Sequence, residues 1–259
     1  MAELRGRVAV VTGGGSGIGA ETCVVLAAHG AAVAVCDVDE AGAGAVADRI
    51  RAEGGAALAV RHDVRSLDSG REMVAAVERD LGPIDILVNN AGVSRRVPFL
   101  ELDVAEWDRL MSINVKGVLF TTQTVLPGMV ERGAGRIVNM SSVVGKEAYP
   151  GFLHYCTSKF AVIGMTQGLA KEFAPHDITV NAVCPGIVET PLHDAVVAQM
   201  ADGAGVTVEE AWANFVGSVP LGRAQSATDV AEMVAFLVSD RARNITGSAF
   251  NVNGGMEMR

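Results

Sequence analysis

Short runs of apolar, often β-branched residues alternate along the chain with longer, Ala-rich amphipathic stretches. The apolar runs lie at residues 7–12, 32–37, 57–63, 84–90, 136–142, 178–185 and 248–254. Most are apolar at nearly every position, which is typical of strands buried on both faces of a parallel sheet. The helical patterns between them are long enough to connect parallel strands. The pattern predicts an α/β fold with a doubly wound sheet of about seven parallel strands and helices on both faces.

One domain accounts for the whole chain, residues 1–259. Its composition, 49% hydrophobic and 20% charged, suffices for one well-filled core, and no repeat, low-complexity segment or linker divides it. The only long irregular region, at about 187–222, interrupts the alternation late in the chain. Because long loops are usually functional, we predict a helical substrate lid there.

The charge of the chain argues against some partners. The formal net charge is −9 at pH 7 and no basic run occurs, which is unlike a nucleic-acid surface. The first apolar run is too short for a signal-peptide core, and no segment approaches membrane-spanning length. The cysteines form no CxxC pair and the histidines no HExxH motif. We expect a cytoplasmic protein with no metal, nucleic-acid or membrane partner.

A glycine-rich segment, 12-TGGGSGIGAE-21, follows the first predicted strand. Glycines at such a turn let the backbone approach a ligand, and the N–H groups and dipole of the next helix favour a pyrophosphate. Gly15, Gly17 and Ala20 satisfy the dinucleotide template of a Rossmann fold, and Gly13, Gly17 and Gly19 are an equally available reading. No Lys-Ser or Lys-Thr follows, which excludes a P-loop.

Asp37 ends the second predicted strand, 18 residues after Gly19. A carboxylate there accepts hydrogen bonds from both ribose hydroxyls of NAD. It would repel the 2′-phosphate of NADP by roughly 4 kcal/mol per unit charge at ~4 Å and an effective dielectric of about 20. We therefore predict NAD as the cofactor. The structural alternative is that Asp37 caps a helix beginning near Glu40.

Motifs spread over nearly the whole chain resemble those of the short-chain dehydrogenase/reductase family, in its order and spacing. They are 12-TGGGSGIG-19, 89-NNAG-92, Asn114, 139-NMSS-142, Tyr155-x-x-x-Lys159 and 185-PG-186. Together they are highly specific, although YxxxK alone occurs by chance in many proteins. The resemblance implies an oxidoreductase that transfers a hydride, assembled as a homodimer or homotetramer, with the catalytic residues Asn114, Ser142, Tyr155 and Lys159.

Tyr155 and Lys159 lie one turn apart on the same face if residues 154–174 form one helix. A free tyrosine has a pKa of about 10, so acid/base work near neutral pH needs a fall of roughly 3 units, or about 4 kcal/mol. One ammonium at ~4 Å, at an effective dielectric of about 20, supplies an energy of that size. We expect Lys159 to lower the pKa of Tyr155, and by resemblance to bind the nicotinamide ribose.

Ser142 lies 13 residues before Tyr155, at a strand end where active sites of doubly wound folds collect. Its rival for binding the reacting oxygen is Ser141, and the family's spacing favours Ser142. The resemblance implies that Asn114 holds a water connecting Lys159 to solvent. From the residues alone, Asn114 is a helix-interior asparagine bonded to backbone.

The resemblance also implies the remaining cofactor contacts. They are Gly13, Gly15, Ser16, Gly17, Ile18 and Gly19 at the first turn, Asp63 and Val64 near adenine, Asn90, Ala91 and Gly92 along the adenosine ribose, and Pro185, Gly186, Val188 and Thr190 beside nicotinamide. Structural alternatives remain for two of them. Asp63 could be a strand-end cap, and Thr190 the N-cap of a helix started by Pro191.

The substrate should sit over Tyr155, between residues 143–152, the loop after 92–96, and a lid carrying His193, Met200, Trp212 and Phe215. The run 184-CPGIVETPL-192 and the lid are similar to those of the family's branch acting on small diols, acetoin and polyols. We therefore expect a small secondary alcohol or ketone as substrate. The alternatives are a 3-oxoacyl-thioester reductase, which usually prefers NADPH, a sugar-nucleotide epimerase or dehydratase, which needs a larger C-terminal domain, and a non-catalytic NAD-binding regulator.

Overall fold

All seven predicted strands form and pair in parallel in one sheet, in the order β3-β2-β1-β4-β5-β6-β7. The computed structural model describes residues 3–258. The strands are β1 Val8–Thr12, β2 Ala32–Asp37, β3 Ala57–Arg61, β4 Ile86–Asn89, β5 Gly135–Met140, β6 Ile178–Pro185 and β7 Ala249–Val252. The longer helices are α1 Gly17–Ala28, α2 Glu40–Ala52, α3 Leu67–Asp80, α4 Val104–Met111, α5 Gly117–Arg132, α6 Leu153–Phe173, α7 Pro191–Ala204, α8 Val208–Val216 and α9 Ala227–Val238.

The sheet is buried on both faces, which explains its continuously apolar strands. Successive residues of β1 enter opposite layers: Ala9 and Val11 pack in one hydrophobic core, and Val10 packs in the other. Helices α1 and α9 pack together in the first layer, and α3 and α5 in the second. The predicted single doubly wound α/β domain is confirmed.

The strand order places a crevice at the carboxyl end of β1. The chain runs outward from β1 to β2 and β3 on one side, and from β4 through β7 on the other. Loops that leave neighbouring strands in opposite directions open a crevice between them, where ligands of doubly wound folds bind. The glycine-rich turn lies beside this point.

The predicted helix at 154–174 is α6, Leu153–Phe173. Between α4 and α5 the helix widens into a π-helical turn at Ser112–Lys116, which contains Asn114. Such turns are rare and often accompany functional sites, because they rotate one side chain out of the regular helical pattern. The sequence period did not reveal this turn.

The region predicted as a lid folds as α7 and α8. The two helices share a small core of Val197, Ala201 and Ala211, with Trp212 and Phe215 packed against it. Its movement over a substrate stays a prediction. Within residues 3–258, no helix combines the length and apolarity needed to cross a membrane.

Candidate active site

A cavity of about 470 Å³ runs along the carboxyl ends of the strands and collects most of the predicted cofactor contacts. It is lined by Gly13, Ser16, Gly17, Ile18, Asp37, Asp63, Val64, Asn90, Ala91, Gly92, Tyr155, Lys159, Pro185, Gly186 and Thr190. Gly15, Gly19 and Val188 lie outside the lining. The lining also includes Val38, His62, Arg65, Val93 and Ile113, which the sequence analysis did not single out. Only their places next to predicted residues could have drawn attention to them.

The glycine turn is shaped for close backbone approach. Gly13 and Gly17 adopt left-handed φ values of 63° and 53°, which favour glycine. A Cβ on Gly13 would lie 2.8 Å from the Cα of Ala91. One on Gly19 would lie 2.0 Å from the Gly13 carbonyl oxygen, so Gly19 serves packing inside the turn. This explains why Gly19 does not line the cavity.

The first turn of α1 faces the cavity without a side-chain cap. Ser16 occupies the N-cap position, and its hydroxyl makes no capping hydrogen bond. The first N–H groups of a helix have no partner within the helix, and they favour an anion together with the helix dipole. These donors beside the glycine cradle fit a dinucleotide pyrophosphate.

Asp37 is fixed beside the glycine turn. Its carboxylate accepts hydrogen bonds from the backbone N–H of Gly15, at 2.9 Å, and from that of Asp39, at 3.0 Å. The N-cap of α2 is Asp39, which accepts from the N–H of Ala41. The alternative interpretation of Asp37 as the helix cap is therefore wrong.

Asp63 caps the turn that follows β3, the structural role that the sequence analysis gave as an alternative. Its carboxylate accepts from the backbone N–H of Arg65 at 3.0 Å and from the Arg65 guanidinium at 2.7 Å. Chiefly because of that guanidinium, the pKa of Asp63 falls to about 2. Asp63 thus closes the turn after β3, and Arg65 at the cavity edge already has an acidic partner.

A hydrogen-bond network that the sequence analysis missed joins the turns after β1 and β4. The Thr12 hydroxyl accepts from the backbone N–H groups of Asn90, at 3.0 Å, and Ala91, at 3.1 Å. The Asn90 side-chain amide donates to the carbonyl oxygens of Thr12 and Gly13. These bonds hold the two turns that line the crevice in fixed register.

Tyr155 and Lys159 lie one turn apart on α6 and both line the cavity. The Lys159 ammonium is 5.7 Å from the Tyr155 ring centre and donates to the Met140 carbonyl oxygen at 2.8 Å. Burial lowers the pKa of Lys159 to about 8. Burial also raises the pKa of Tyr155 to about 12, against the opposing effect of a hydrogen bond with Ser142. The expected net fall in the pKa of Tyr155 is therefore wrong for the protein alone, because desolvation by burial raises that pKa.

The two candidate serines have different partners. Ser142 lies close enough to Tyr155 to lower the pKa of its hydroxyl, and the Ser142 hydroxyl accepts from the N–H of Val144 at 3.3 Å. The Ser141 hydroxyl instead donates to the carbonyl oxygen of Lys159 at 3.0 Å. The structure thus places Ser142, and not Ser141, against the tyrosine hydroxyl.

The Asn114 side chain is buried and lies outside the cavity lining. It forms hydrogen bonds with the backbone of the loop after β4, and not with the backbone of its own helix. Its side-chain oxygen accepts from the N–H of Val93, and its amide donates to the Val93 carbonyl oxygen, each at 2.9 Å. The amide also donates to the Ser158 hydroxyl at 3.1 Å. Asn114 therefore holds the loop after β4 against α6, and its role in proton transfer stays a prediction.

Thr190 lines the cavity next to Gly17, the first residue of α1. It is the N-cap residue of α7 with Pro191 in the first turn, as the structural alternative proposed, although its hydroxyl makes no capping bond. That hydroxyl lies 3.3 Å from the Val188 carbonyl oxygen and 3.4 Å from His193 Nδ1. A Cβ on Gly17 would lie 3.4 Å from its methyl group, an ordinary contact distance, so Thr190 packs beside the glycine turn.

A second cavity, of about 400 Å³, meets the first at Tyr155. Ser142, Tyr155, Gly186, Leu192 and His193 line both cavities. The rest of its lining is mainly apolar and includes Val143, Val144, Pro150, Phe152, Ile187, Val196, Met200, Phe215 and Met256. Of the predicted lid residues, His193, Met200 and Phe215 line it. Trp212 does not line it and packs against the α7–α8 core.

Comparisons with known proteins agree with this arrangement. The family model "short chain dehydrogenase" matches residues 7–201. A putative ketoacyl reductase of Streptomyces coelicolor is 42% identical over 258 residues, 99% of each chain. A 3-oxoacyl-acyl-carrier-protein reductase of Thermotoga maritima is 36% identical over 254 residues, 98% of this chain and 99% of the relative. The crystal structure of an actinorhodin polyketide ketoreductase variant with NADPH superposes with a TM-score of 0.94 at 41% identity, covering 96% of this chain and 97% of that one.

Proposed function

The chain belongs to the short-chain dehydrogenase family, and we propose that it transfers a hydride between NAD(H) and a secondary alcohol or ketone, with Tyr155 as the acid/base. The observation that carries this proposal is the position of Tyr155, at the junction of a cavity that fits a dinucleotide and a mainly apolar cavity. A hydroxyl at that junction can exchange a proton with a carbonyl oxygen whose carbon faces the cofactor.

The proposed mechanism gives each residue one task. NAD(H), held by the residues that line the first cavity, would supply or accept the hydride. Tyr155, protonated at neutral pH because its pKa is about 12, donates its proton to the ketone oxygen during reduction and takes it back during oxidation. The Ser142 hydroxyl hydrogen-bonds the same oxygen. Lys159 sits one turn away as the positive charge that stabilises tyrosinate when Tyr155 gives up its proton.

Asp37 is our reason for proposing NAD over NADP. Its carboxylate is held at the cavity wall, where it would repel a 2′-phosphate. Arg65 is the arginine in the lining of the same cavity, and its guanidinium is already bound to Asp63. The related ketoreductase structure contains NADPH, so this chain would differ from that relative in cofactor preference.

The lining of the second cavity bears on the substrate. Hydroxyl groups of a polyol need hydrogen-bond partners when buried. The mainly apolar lining offers few of them beyond Ser94, Tyr149, Asn214 and Ser218. We therefore propose a ketone or alcohol with an apolar body, and within the predicted diol branch, short acetoin-type compounds over polyols. The second candidate is a 3-oxoacyl thioester, favoured by the same lining and by the names of two relatives.

We propose a homodimer or homotetramer as the assembly. Leu119 on α5, and Leu153 and Phe160 on α6, are large apolar side chains that remain 40–46% exposed. Exposed apolar side chains on neighbouring helices are typical of subunit interfaces. A cytoplasmic location stays a prediction from the sequence.

One assay tests the proposed reaction. Purified protein is given NADH or NADPH with acetoin, cyclic ketones and 3-oxoacyl thioesters, and the reverse reaction is run with NAD⁺ and the matching alcohols and polyols. We expect turnover with the NAD pair and its loss in Tyr155→Phe. Binding of NAD without turnover of any member would instead support the non-catalytic regulator.

A further inference from the structure

The second cavity has one charged side chain in its lining, Arg96. Among the described residues that line it, none is acidic, and His193, whose pKa is lowered by burial, is neutral near pH 7. The chain as a whole has a net charge of −9. Arg96 is an exposed residue, so the positive charge lies at the edge of a mainly apolar cavity in an acidic protein.

The Arg96 guanidinium has no protein partner within residues 3–258. It makes no ion pair and no side-chain hydrogen bond there, and the residue is exposed to solvent. The adjacent Arg95 differs, because its guanidinium lies 3.9 Å from the Glu106 carboxylate. An arginine facing a cavity without a carboxylate keeps all its donors available to an anion.

The backbone around Arg96 is held in place from two sides. The Arg96 N–H donates to the side-chain oxygen of Gln199 on α7 at 3.2 Å, and the Val97 N–H donates to the Gly151 carbonyl oxygen at 2.8 Å. Gly151 also makes room for the side chain, because a Cβ there would lie 3.2 Å from Arg96 Cγ and Nε. The Arg96 side chain thus packs against Gly151 at the cavity wall.

We propose that Arg96 binds an anionic group of the substrate, a carboxylate or a phosphate, at the end of the apolar cavity away from the cofactor. This inference rests on the proposed function and names its substrate class, keto or hydroxy compounds with an apolar body and a negative charge. A carboxylate would belong to a free keto acid. A phosphate would belong to the carrier arm of an acyl thioester.

Pairs of substrates that differ in the presence of a negative charge test whether Arg96 binds an anionic group. One pair is an apolar keto acid and its methyl ester, and the other is a 3-oxoacyl coenzyme A thioester and the same acyl group on N-acetylcysteamine, which lacks phosphate. We expect Arg96→Ala to raise KM for the charged member roughly 10- to 100-fold with little change in kcat, the size typical of a hydrogen-bonded ion pair. Arg96→Lys should recover part of the loss, because it keeps the charge and loses the two-donor geometry.

Arg95→Ala is the matched control, since it removes a neighbouring charge that is paired with Glu106 and does not line the cavity. Arg95→Ala should leave KM and kcat unchanged for every member of the two substrate pairs. An effect confined to the keto acid assigns the carboxylate, and one confined to the coenzyme A thioester assigns the phosphate. If Arg96→Ala affects charged and neutral members equally, the inference fails while the proposed function stands.

Ligand-induced thermal stabilisation gives a readout that needs no turnover. With NAD⁺ present, the keto acid or the coenzyme A thioester should stabilise the wild type more than its neutral counterpart does, and Arg96→Ala should remove that difference. Equal stabilisation by charged and neutral members of both pairs would overturn the inference, even if no ketone were reduced and the proposed function had failed separately.

Discussion

The carboxylate of Asp37 accepts a 2.9 Å hydrogen bond from the backbone N–H of Gly15. The bond joins the end of β2 to the turn that follows β1, so the acid and the glycine turn keep one relative position. Because the carboxylate is fixed before any ligand arrives, its charge acts on whatever occupies the adjacent cavity. Cofactor preference should therefore depend on this one side chain.

Asp37→Asn should shift cofactor preference toward NADP. The amide oxygen can still accept from the N–H of Gly15, so the glycine turn keeps its anchor. The hydrogen bond from the N–H of Asp39 to the second carboxylate oxygen is lost together with the charge. We expect the ratio of kcat/KM for NADP⁺ over that for NAD⁺ to rise about 10- to 100-fold. This rise corresponds to part of the roughly 4 kcal/mol repulsion between Asp37 and the 2′-phosphate, because solvent and salt screen the rest. Steady-state kinetics with both cofactors measures the ratio.

Asp39→Asn is the control for Asp37→Asn, since Asp39 caps α2 and lies outside the cavity lining. It should leave the cofactor ratio unchanged. An unchanged ratio in both variants would mean that the Asp37 carboxylate acts only as a backbone anchor.

Tyr155→Phe should lower kcat by roughly a hundredfold to ten-thousandfold, the usual contribution of a general acid/base. The ring stays, so NAD(H) binding should persist, which fluorescence titration of NADH measures. The chain has one other tyrosine, Tyr149, whose hydroxyl lies 3.4 Å from Glu147. Tyr149→Phe should alter KM at most. Retained turnover in Tyr155→Phe would remove this residue from the mechanism.

Ser142→Ala and Ser141→Ala should separate catalysis from stability. Loss of the Ser142 hydroxyl should lower kcat about a hundredfold, because it removes a donor to the reacting oxygen. Loss of the Ser141 hydroxyl removes its bond to the Lys159 carbonyl oxygen and should cost about 1 kcal/mol of unfolding free energy. Kinetics and urea unfolding of both variants test this. Equal kinetic effects would contradict the assignment of Ser142.

Lys159→Met should stabilise the fold at neutral pH while abolishing turnover. Burial lowers the folded-state pKa of Lys159 to about 8, below its ordinary value of 10.5, so the charged form opposes folding below pH 8. That penalty is about 3 kcal/mol and disappears between pH 8 and 10.5, where the unfolded chain binds more protons than the folded one. The lost hydrogen bond to the Met140 carbonyl oxygen reduces the expected gain in stability by about 1 kcal/mol.

Urea unfolding of the wild type and Lys159→Met near pH 7 and near pH 10 measures this difference. The stability gain should shrink as the pH rises. A gain that is independent of pH would mean that the variant acts through packing and not through the removal of a buried charge.

The fold followed from the sequence with small errors at the ends of elements. The run predicted at 136–142 forms a strand at Gly135–Met140, and the helix predicted at 154–174 forms at Leu153–Phe173. Both signals are local, because a strand buried on two faces is apolar throughout and a helix repeats every 3.6 residues. The π-helical turn around Asn114 was missed because it changes backbone bonding without changing the apolar pattern.

The site followed only in part, and the lid shows why. His193 and Trp212 both belong to the region predicted over the substrate, yet His193 lines the cavity and Trp212 packs inside the lid. The helical pattern of a short lid does not say which face meets the domain. Met256 reaches the same cavity from the far end of the chain, and no local signal marked it.

By itself the sequence determined which elements form and which motif residues share the cofactor crevice, because apolar periodicity and glycine turns are local properties of the chain. Only the tertiary structure decided the environment of each polar group. Tyr155 has a raised pKa because the surrounding fold desolvates it, and Arg96 is left unpaired within the described residues because folding places Gly151 and Gln199 against it and no acid. Desolvation and partner choice depend on residues distant in sequence, so they emerge only when the chain is packed.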